Sequence, residues 1–296
     1  MPELPEVETM VRGVRPTLTG RQILDVQFCR CSRKPISVKP SKQRFRQETI
    51  GTVISAVTRL AKRIVIHLKR SGHQTDGPSV PDLTAESLFI VIEPRMTGLL
   101  LLENPPSREH RRICWQIVGK DGTAASFEFW DRRGLGTVTL LTESEFDALS
   151  RTLGKDATDF TTADWIRTFS RSNRAIKVAM LDQTRIGGIG NLYASEILHR
   201  AGIGPQRACC SLSRDDWKRI ARCTKAILAT AIRYEGSTLS DGTYRNALSR
   251  EGRYQNEHRV YGKEGTLCPR CRSATIQRIV QGQRSTFLCP ACQPEN

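Results

Sequence analysis

Three stretches hold residues whose types and spacing can do chemistry. Near the C-terminus, Cys268-x-x-Cys271 and Cys289-x-x-Cys292 stand 17 residues apart. Two such pairs flanking a hairpin-like segment match a four-thiolate zinc ribbon. A unit this short lacks the core to fold alone, and four thiolates leave no open coordination position, so one structural Zn2+ is expected. The second stretch is IGGIGNLYASEIL, where Gly187, Gly188 and Gly190 make a turn that opens into a helix near Asn191. Free backbone N–H groups and the positive end of the helix dipole would face outward there, which predicts an anion site. The third is the opening MPELPEVETM. Pro5 suits a first helical turn, Glu6 and Glu8 suit the dipole, and Val7, Met10, Val11 and Val14 fall on one apolar stripe. A helix over 5–15 follows, with Pro2 and Glu3 left unexplained.

The elements that must position these groups change character along the chain. RQILDVQF, GTVISAVTRL, RIVIHLK, SLFIVIE, RICWQIV, SFEFW and GTVTLL are short runs rich in β-branched and aromatic residues. Many strands with few helices between them predict an antiparallel β-sandwich over residues 1–141, led by the N-terminal helix. The polar stretch 71–81 reads as an exposed loop. From 142 to 258 helical periodicity takes over in TESEFDALSRTLG, TTADWIRTFS and the run 213–234, where Ser213 and Asp216 resemble a capping box. A third unit, 259–296, contains the cysteine pairs, IQRIV, a QGQ turn and STFLC, with Arg284 at the hairpin tip. The fold class is therefore α+β.

Charge suggests what such a molecule binds. Lys and Arg number 46 against 30 Asp and Glu, a net charge of +16. That excess is costly in a compact protein unless a polyanion uses it. The basic clusters recur through folded segments instead of collecting in a tail: Arg30, Arg33 and Lys34; Arg59, Lys62 and Arg63; Arg108, Arg111 and Arg112; Arg132 and Arg133; Arg167, Arg171, Arg174 and Lys177. Nucleic acid is the expected partner, and phosphate the expected anion at the glycine turn. No segment approaches 18 consecutive apolar residues and no signal peptide opens the chain, so a soluble, cytoplasmic protein without a membrane partner is expected. The six other cysteines read as free thiols in a reducing compartment.

PELPEVET at the start, Lys62 in LAKR, the MTG after Arg95, GIGNLYASE, VYGKEG and the terminal hairpin with QRSTF resemble formamidopyrimidine-DNA glycosylases, over nearly the whole chain and in the right order. The resemblance implies a β-sandwich domain, a helix-two-turns-helix DNA-binding domain and a zinc finger. It also implies a monomer that acts on damaged double-stranded DNA, beside the nucleoid in a bacterium. Pro2, once Met1 is trimmed, is then a secondary amine able to attack a sugar C1′ and hold it as a cationic iminium, with Glu3 moving protons beside it. Lys62 is implied to contact phosphates beside the lesion, and Asn191 with Arg284 to grip the backbone around a flipped nucleotide. Met96 is implied to fill the vacated space, Arg133 to meet the orphaned cytosine, and Lys177 to lie near the DNA.

Three departures from the family pattern bear on specificity. Glu93-Pro94-Arg95-Met96-Thr97-Gly98 stands where His-Leu-Gly-Met-Ser-Gly is usual. Arg133-Gly134-Leu135-Gly136 stands where Arg-Arg-Phe-Gly is usual, so Leu135 replaces an aromatic wedge. Ser240 stands where many members carry a lysine in the loop over the damaged base. The main reading is a bifunctional glycosylase and AP lyase for oxidised purines. The alternatives are an endonuclease VIII-like enzyme for oxidised pyrimidines and a non-catalytic binder of damaged DNA; Leu4 and Val7 weigh against the first, and the joint presence of Pro2, Glu3 and Lys62 against the second.

Overall fold

The computed structural model describes residues 2–70 and 87–294; the stretch 71–81 read as an exposed loop lies outside them, as does Met1. The chain divides into two compact units. One contains Pro2, Glu6–Arg151 and Ser237–Gly252; the other contains Glu3–Pro5, Thr152–Gly236 and the residues from Arg253 onward. Among the described residues, no helix is long and apolar enough to cross a membrane.

Helix α1 (Leu4–Leu18) opens the chain. The stripe predicted within 5–15, Val7, Met10, Val11 and Val14, is wholly buried, and the helix extends beyond that range to bury Leu18 as well. Then follow β1 (Gln22–Phe28), β2 (Ser37–Lys39), α2 (Lys42–Thr49), β3 (Thr52–Leu60), β4 (Arg63–Arg70), β5 (Leu88–Glu93), β6 (Gly98–Leu101), β7 (Arg111–Val118), β8 (Ala124–Asp131), β9 (Thr137–Thr142) and α3 (Glu143–Arg151). The strands hydrogen-bond in the order β2-β9-β5-β4-β3-β1-β7-β8-β6. Every pair is antiparallel except β2 with β9. Bulges at Ile23/Asp25, Ile54/Ala56 and Arg111/Ile113 interrupt the registers, and such irregularities bend and twist the strands that carry them. Apolar residues from β3, β4, β5 and β9 share one core with those of β6, β7 and β8, and α1 packs into it. In this unit, among the described residues, the elements that sequence periodicity did not reveal are β2, β6 and α2. The first two are too short to show alternation, with all four residues of β6 buried, and α2 is strongly polar, burying only Phe45 and Thr49.

The second unit contains β10 (Lys155–Asp156), α4 (Thr162–Phe169), α5 (Ile176–Met180), β11 (Ile186–Gly187), α6 (Asn191–Ala201), α7 (Arg214–Arg233), and the hairpin strands β12 (Gln277–Gln281) and β13 (Arg284–Leu288). Reciprocal capping boxes start α4 at Thr161/Asp164 and α7 at Ser213/Asp216. Each satisfies orphan N–H groups and fixes where its helix begins. A cluster of Phe160, Trp165, Phe169 and Trp217 joins the two helices. Helix α6 is buried on nearly every side, so its position follows from packing more than from amphipathicity. The β12–β13 turn places Gly282 (φ 53°) and Gln283 (φ 61°) in the left-handed region, the backbone that a two-residue hairpin with strand-matching twist requires.

Candidate functional site

The glycine turn before α6 is shaped around the N-terminal segment. Glu3 is buried, and its carboxylate accepts hydrogen bonds from the N–H groups of Leu192 (2.9 Å) and Tyr193 (3.4 Å) in the first turn of α6. The next N–H along, that of Leu4, donates to the Gly188 carbonyl at 3.1 Å. Gly190 is glycine because Glu3 leaves no room: a Cβ there would lie 2.2 Å from Glu3 Cδ. The helix start does bind an anion, as expected, but the anion is the protein's own. The N–H groups expected to meet phosphate are taken by Glu3, because a carboxylate built into the chain reaches them at no cost in binding entropy.

Lys177, expected near DNA, is instead wholly buried. Its Nζ donates to Asn191 Oδ1 (2.6 Å), Thr286 Oγ1 (2.6 Å) and the Ser285 carbonyl (3.4 Å), and Asn191 Nδ2 donates to that same carbonyl at 2.9 Å. An ammonium has three donors, so all are engaged inside the protein. Burial, then the Arg284 guanidinium, pull the Lys177 pKa down to about 8, while Glu3 pulls the other way. Through this network α5, the start of α6 and β13 are tied together, which orients Asn191 and the exposed Arg284 at the first position of β13.

In the first unit, Lys62 sits in the two-residue turn between β3 and β4, beside Ala61 with φ 53°. Arg59 holds that turn by donating to the Ala61 carbonyl at 3.0 Å while pairing with Glu8 of α1 at 2.9 Å. Partial burial would raise the Glu8 carboxyl, but hydrogen bonds from Arg12 and Arg59 outweigh it and hold the carboxyl below its ordinary range. Pro2, two residues before α1, is buried.

Met96, Arg133 and Leu135 lie on two loops organised by one buried carboxylate. Asp131 Oδ1 accepts from the Thr97 hydroxyl and from Arg133 N–H (3.1 Å), and Oδ2 accepts from Gly136 N–H (2.8 Å). Arg112 braces the same segment from below, donating to the Asp131 carbonyl at 2.8 Å. Gly134 has φ 64°, and a Cβ there would lie 1.9 Å from the Lys34 carbonyl oxygen, so the loop needs glycine twice over. The geometry leaves Met96 40% exposed, with Arg133 Nη1 donating to its sulfur at 3.0 Å, and Leu135 half-buried. Met96 is thus a projecting apolar tip on a polar support, not a core residue.

The four cysteine sulfurs lie within 4.8 Å of one another, with Cys268–Cys292 at 3.9 Å and Cys271–Cys289 at 3.7 Å. A tetrahedron of thiolates about 2.3 Å from zinc has edges of roughly 3.8 Å, so the set fits one structural zinc ion. Around it, Val260 and Ile276 complete a small core, and His199 Nε2 of α6 stands 3.5 Å from Cys268 Sγ.

Three positioning groups escaped sequence reasoning. Asp131 could have been found as an acid heading a glycine-rich turn. Glu196 accepts from the N–H groups of Arg259, Val260 and Tyr261 at 2.8–3.1 Å, tying α6 to the segment that leads into the zinc hairpin; an acid inside an apolar helix was its signal. Burial pushes that carboxyl upward against the pull of the three N–H groups. The Arg59–Glu8 pair left no local trace. Several basic residues read as a binding surface are paired internally: Arg59 with Glu8, Arg63 with Glu93, Arg111 with Glu128.

Residues 1–138 match the family model for the formamidopyrimidine-DNA glycosylase N-terminal domain, 153–243 that for the H2TH domain, and 265–294 that for the zinc finger found in FPG and IleRS. A formamidopyrimidine-DNA glycosylase of Chloroflexus aurantiacus is 35% identical, over 99% of this chain and 98% of its own. Among solved structures, the MutM (Fpg) protein of Thermus thermophilus superposes with a TM-score of 0.80 at 30% identity, covering 100% of both chains. The Lactococcus lactis Fpg in complex with abasic-site DNA gives a TM-score of 0.80 at 26% identity over 99% of each chain.

Proposed function

Since the chain belongs to the formamidopyrimidine-DNA glycosylase family, we propose that it excises oxidised purines, 8-oxoguanine and formamidopyrimidines, from duplex DNA and nicks the strand at the abasic site. It is a base-excision DNA glycosylase with one structural zinc ion, and its working place is the bacterial cytoplasm, as a monomer on the nucleoid. Trimming of Met1 leaves Pro2 with a secondary α-amine, and an α-amine's reference pKa of about 7.7–8.0 keeps a useful fraction neutral near pH 7. The amine attacks C1′, the glycosidic bond breaks, and the base leaves with a proton. Glu3 protonates O4′ as the sugar ring opens, giving a cationic iminium between the Pro2 nitrogen and C1′. Loss of a C2′ proton then expels the 3′ phosphate, a second elimination expels the 5′ phosphate, and water releases the sugar remnant.

The observation that carries this reading is the seating of Glu3. The carboxylate next to Pro2 is fixed by two backbone donors at the start of a buried helix, which supports a proton carrier held in one place beside the terminal amine. Lys62, Asn191 and Arg284 supply phosphate contacts, with Lys177 holding the last two in place. Those contacts offset the few kcal/mol that base flipping costs. Met96, Arg133 and Leu135 occupy the gap and meet the orphaned base.

Borohydride trapping tests the assignment. Mixing the trimmed protein with 8-oxoguanine duplex and borohydride should give a covalent adduct that peptide mass spectrometry places on Pro2, and retaining Met1 should abolish trapping while duplex binding persists. An adduct on Lys62 refutes the Pro2 assignment, and no adduct with trimmed protein leaves a non-catalytic binder of damaged DNA. Faster excision of oxidised pyrimidines than of 8-oxoguanine would place the enzyme on the endonuclease VIII-like side.

A further inference from the structure

Away from the residues given catalytic or DNA-contacting roles above, the end of β1 and the start of β7 bring two thiols together. Cys29 Sγ lies 3.5 Å from Cys114 Sγ, and the Cys29 N–H donates to the Arg112 carbonyl, which holds the two segments side by side. Arg111 Nη2 points at Cys114 Sγ from 2.9 Å, and Glu128 of β8, paired with that guanidinium, lies 3.7 Å from the same sulfur. A guanidinium this close stabilises negative charge on the sulfur pair. The two thiols differ in access: Cys114 is buried, whereas Cys29 is half-exposed and lines a groove of about 540 Å³ together with Cys31, Arg30, Lys42 and Arg112.

We propose that Cys29 and Cys114 form a peroxide-reactive dithiol site, in which Cys29 is the attacking thiolate and Cys114 the resolving thiol of a reversible intramolecular disulfide. The Cys29 thiolate attacks one oxygen of a hydroperoxide, the O–O bond breaks, and the other oxygen leaves as water or an alcohol after taking a proton; Cys29 becomes a sulfenic acid. Cys114 sulfur then attacks the Cys29 sulfur, the S–O bond breaks, and hydroxide leaves as water with the Cys114 proton. In sum two thiols lose two electrons and two protons, and one hydroperoxide is reduced to an alcohol or water, with one further water formed. The hydrogen bond from Cys114, reinforced by Arg111 and opposed by partial burial and Glu128, brings the Cys29 thiol down to about 7, while the same contact and burial push the Cys114 thiol up, so of the two Cys29 ionises first. Closing the bond requires the sulfurs to approach from 3.5 Å to about 2.05 Å. Cys29 follows the last residue of β1 and leads into an irregular segment, so that end of the chain can give.

The test uses the zinc-loaded full chain, treated with hydrogen peroxide and mapped as non-reduced peptides so that the zinc cysteines are scored separately. The expected product is a Cys29–Cys114 cross-linked peptide that dithiothreitol reverses, and Cys31→Ser should leave it unchanged. In Cys114→Ser, Cys29 should stall as sulfenic acid and take up dimedone several-fold more than wild type. If serine at the buried position impairs folding, Cys29→Ser carries the test: it should abolish the cross-link, leave Cys114 unmodified and keep wild-type excision under reducing conditions. A Cys29–Cys31 cross-link, or wild-type Cys29 running on to sulfinic acid with no cross-link, overturns the proposal.

Discussion

Replacing Gly190 with alanine isolates the contact on which Glu3 depends. Gly190 has φ −124° and ψ −163°, extended backbone that alanine adopts freely, so the substitution brings no backbone strain. What it adds is a methyl group 2.2 Å from Glu3 Cδ and 2.4 and 2.6 Å from its two oxygens. Ordinary carbon contacts begin near 3.5 Å, so the carboxylate must retreat by about 1 Å. That retreat breaks or stretches the 2.9 Å bond from Leu192 and the already long 3.4 Å bond from Tyr193. One good hydrogen bond to a charged group and one weak one together contribute about 2–4 kcal/mol. Misplacing a reacting group by about 1 Å costs on the order of 100-fold in rate. Single-turnover excision of 8-oxoguanine by Gly190→Ala should therefore fall about 100-fold, with duplex binding nearly unchanged. A double-mutant cycle by urea unfolding gives the structural half of the argument. Alanine is also a poorer N-cap than glycine by roughly 1 kcal/mol in either background; beyond that, Gly190→Ala should destabilise the wild type but not Glu3→Ala. Equal destabilisation in both backgrounds, or excision at the wild-type rate, would refute the seating of Glu3 as the organising feature.

Asp131→Asn puts an amide N–H against one of the three donors that now meet the carboxylate, at a cost of about 1–3 kcal/mol; Tm should fall and lesion-duplex binding weaken as the Met96 and Arg133 loops loosen, while zinc content stays at one per chain. Cys289→Ser should release zinc and weaken DNA binding by freeing Arg284 and the Lys177 network, with the sheet unit still folded by circular dichroism; lesion-duplex binding as tight as wild type would separate the hairpin from DNA recognition. His258 is held neutral, mainly by burial and further by Lys263 against a Tyr261 backbone hydrogen bond, with its pKa lowered to about 4. The folded state thus binds fewer protons than the unfolded state between about pH 6.5 and 4, so this contribution is present at neutral pH and is lost as pH falls, by up to about 3 kcal/mol. His258→Phe should flatten that part of the stability profile measured by urea unfolding; an unchanged slope would show that the histidine charges in the folded state.

What the sequence determined by itself was whatever depends on local periodicity or on chemistry within a short window. The α1 stripe, most strands of the large sheet, the capping box of α7 and the zinc hairpin all follow from spacing within a few tens of residues, because 3.6- and 2-residue periods and CxxC pairs are written along the chain. The glycine turn was legible as a helix start and as an anion site. What filled it was not, since Glu3 and Leu192 lie 189 residues apart and only folding brings a carboxylate to those N–H groups. Lys177 shows the same limit: a lysine amid arginines reads as a DNA contact, and only packing of α5 against α6 and β13 shows its three donors turned inward. The assignment of residues 237–252 to the sheet unit was also a tertiary outcome. That polar, glycine-containing stretch carries no period of its own, and it joins the sheet through long-range contacts: Ser237 N–H to Glu6 at 2.9 Å, Leu102 N–H to the Ala247 carbonyl at 2.9 Å, and Tyr244 buried in the core. Residue types decide which contacts are chemically possible, but the loop-closure entropy of contacts this distant is offset only by the cooperative core, so where they form is settled by the fold as a whole.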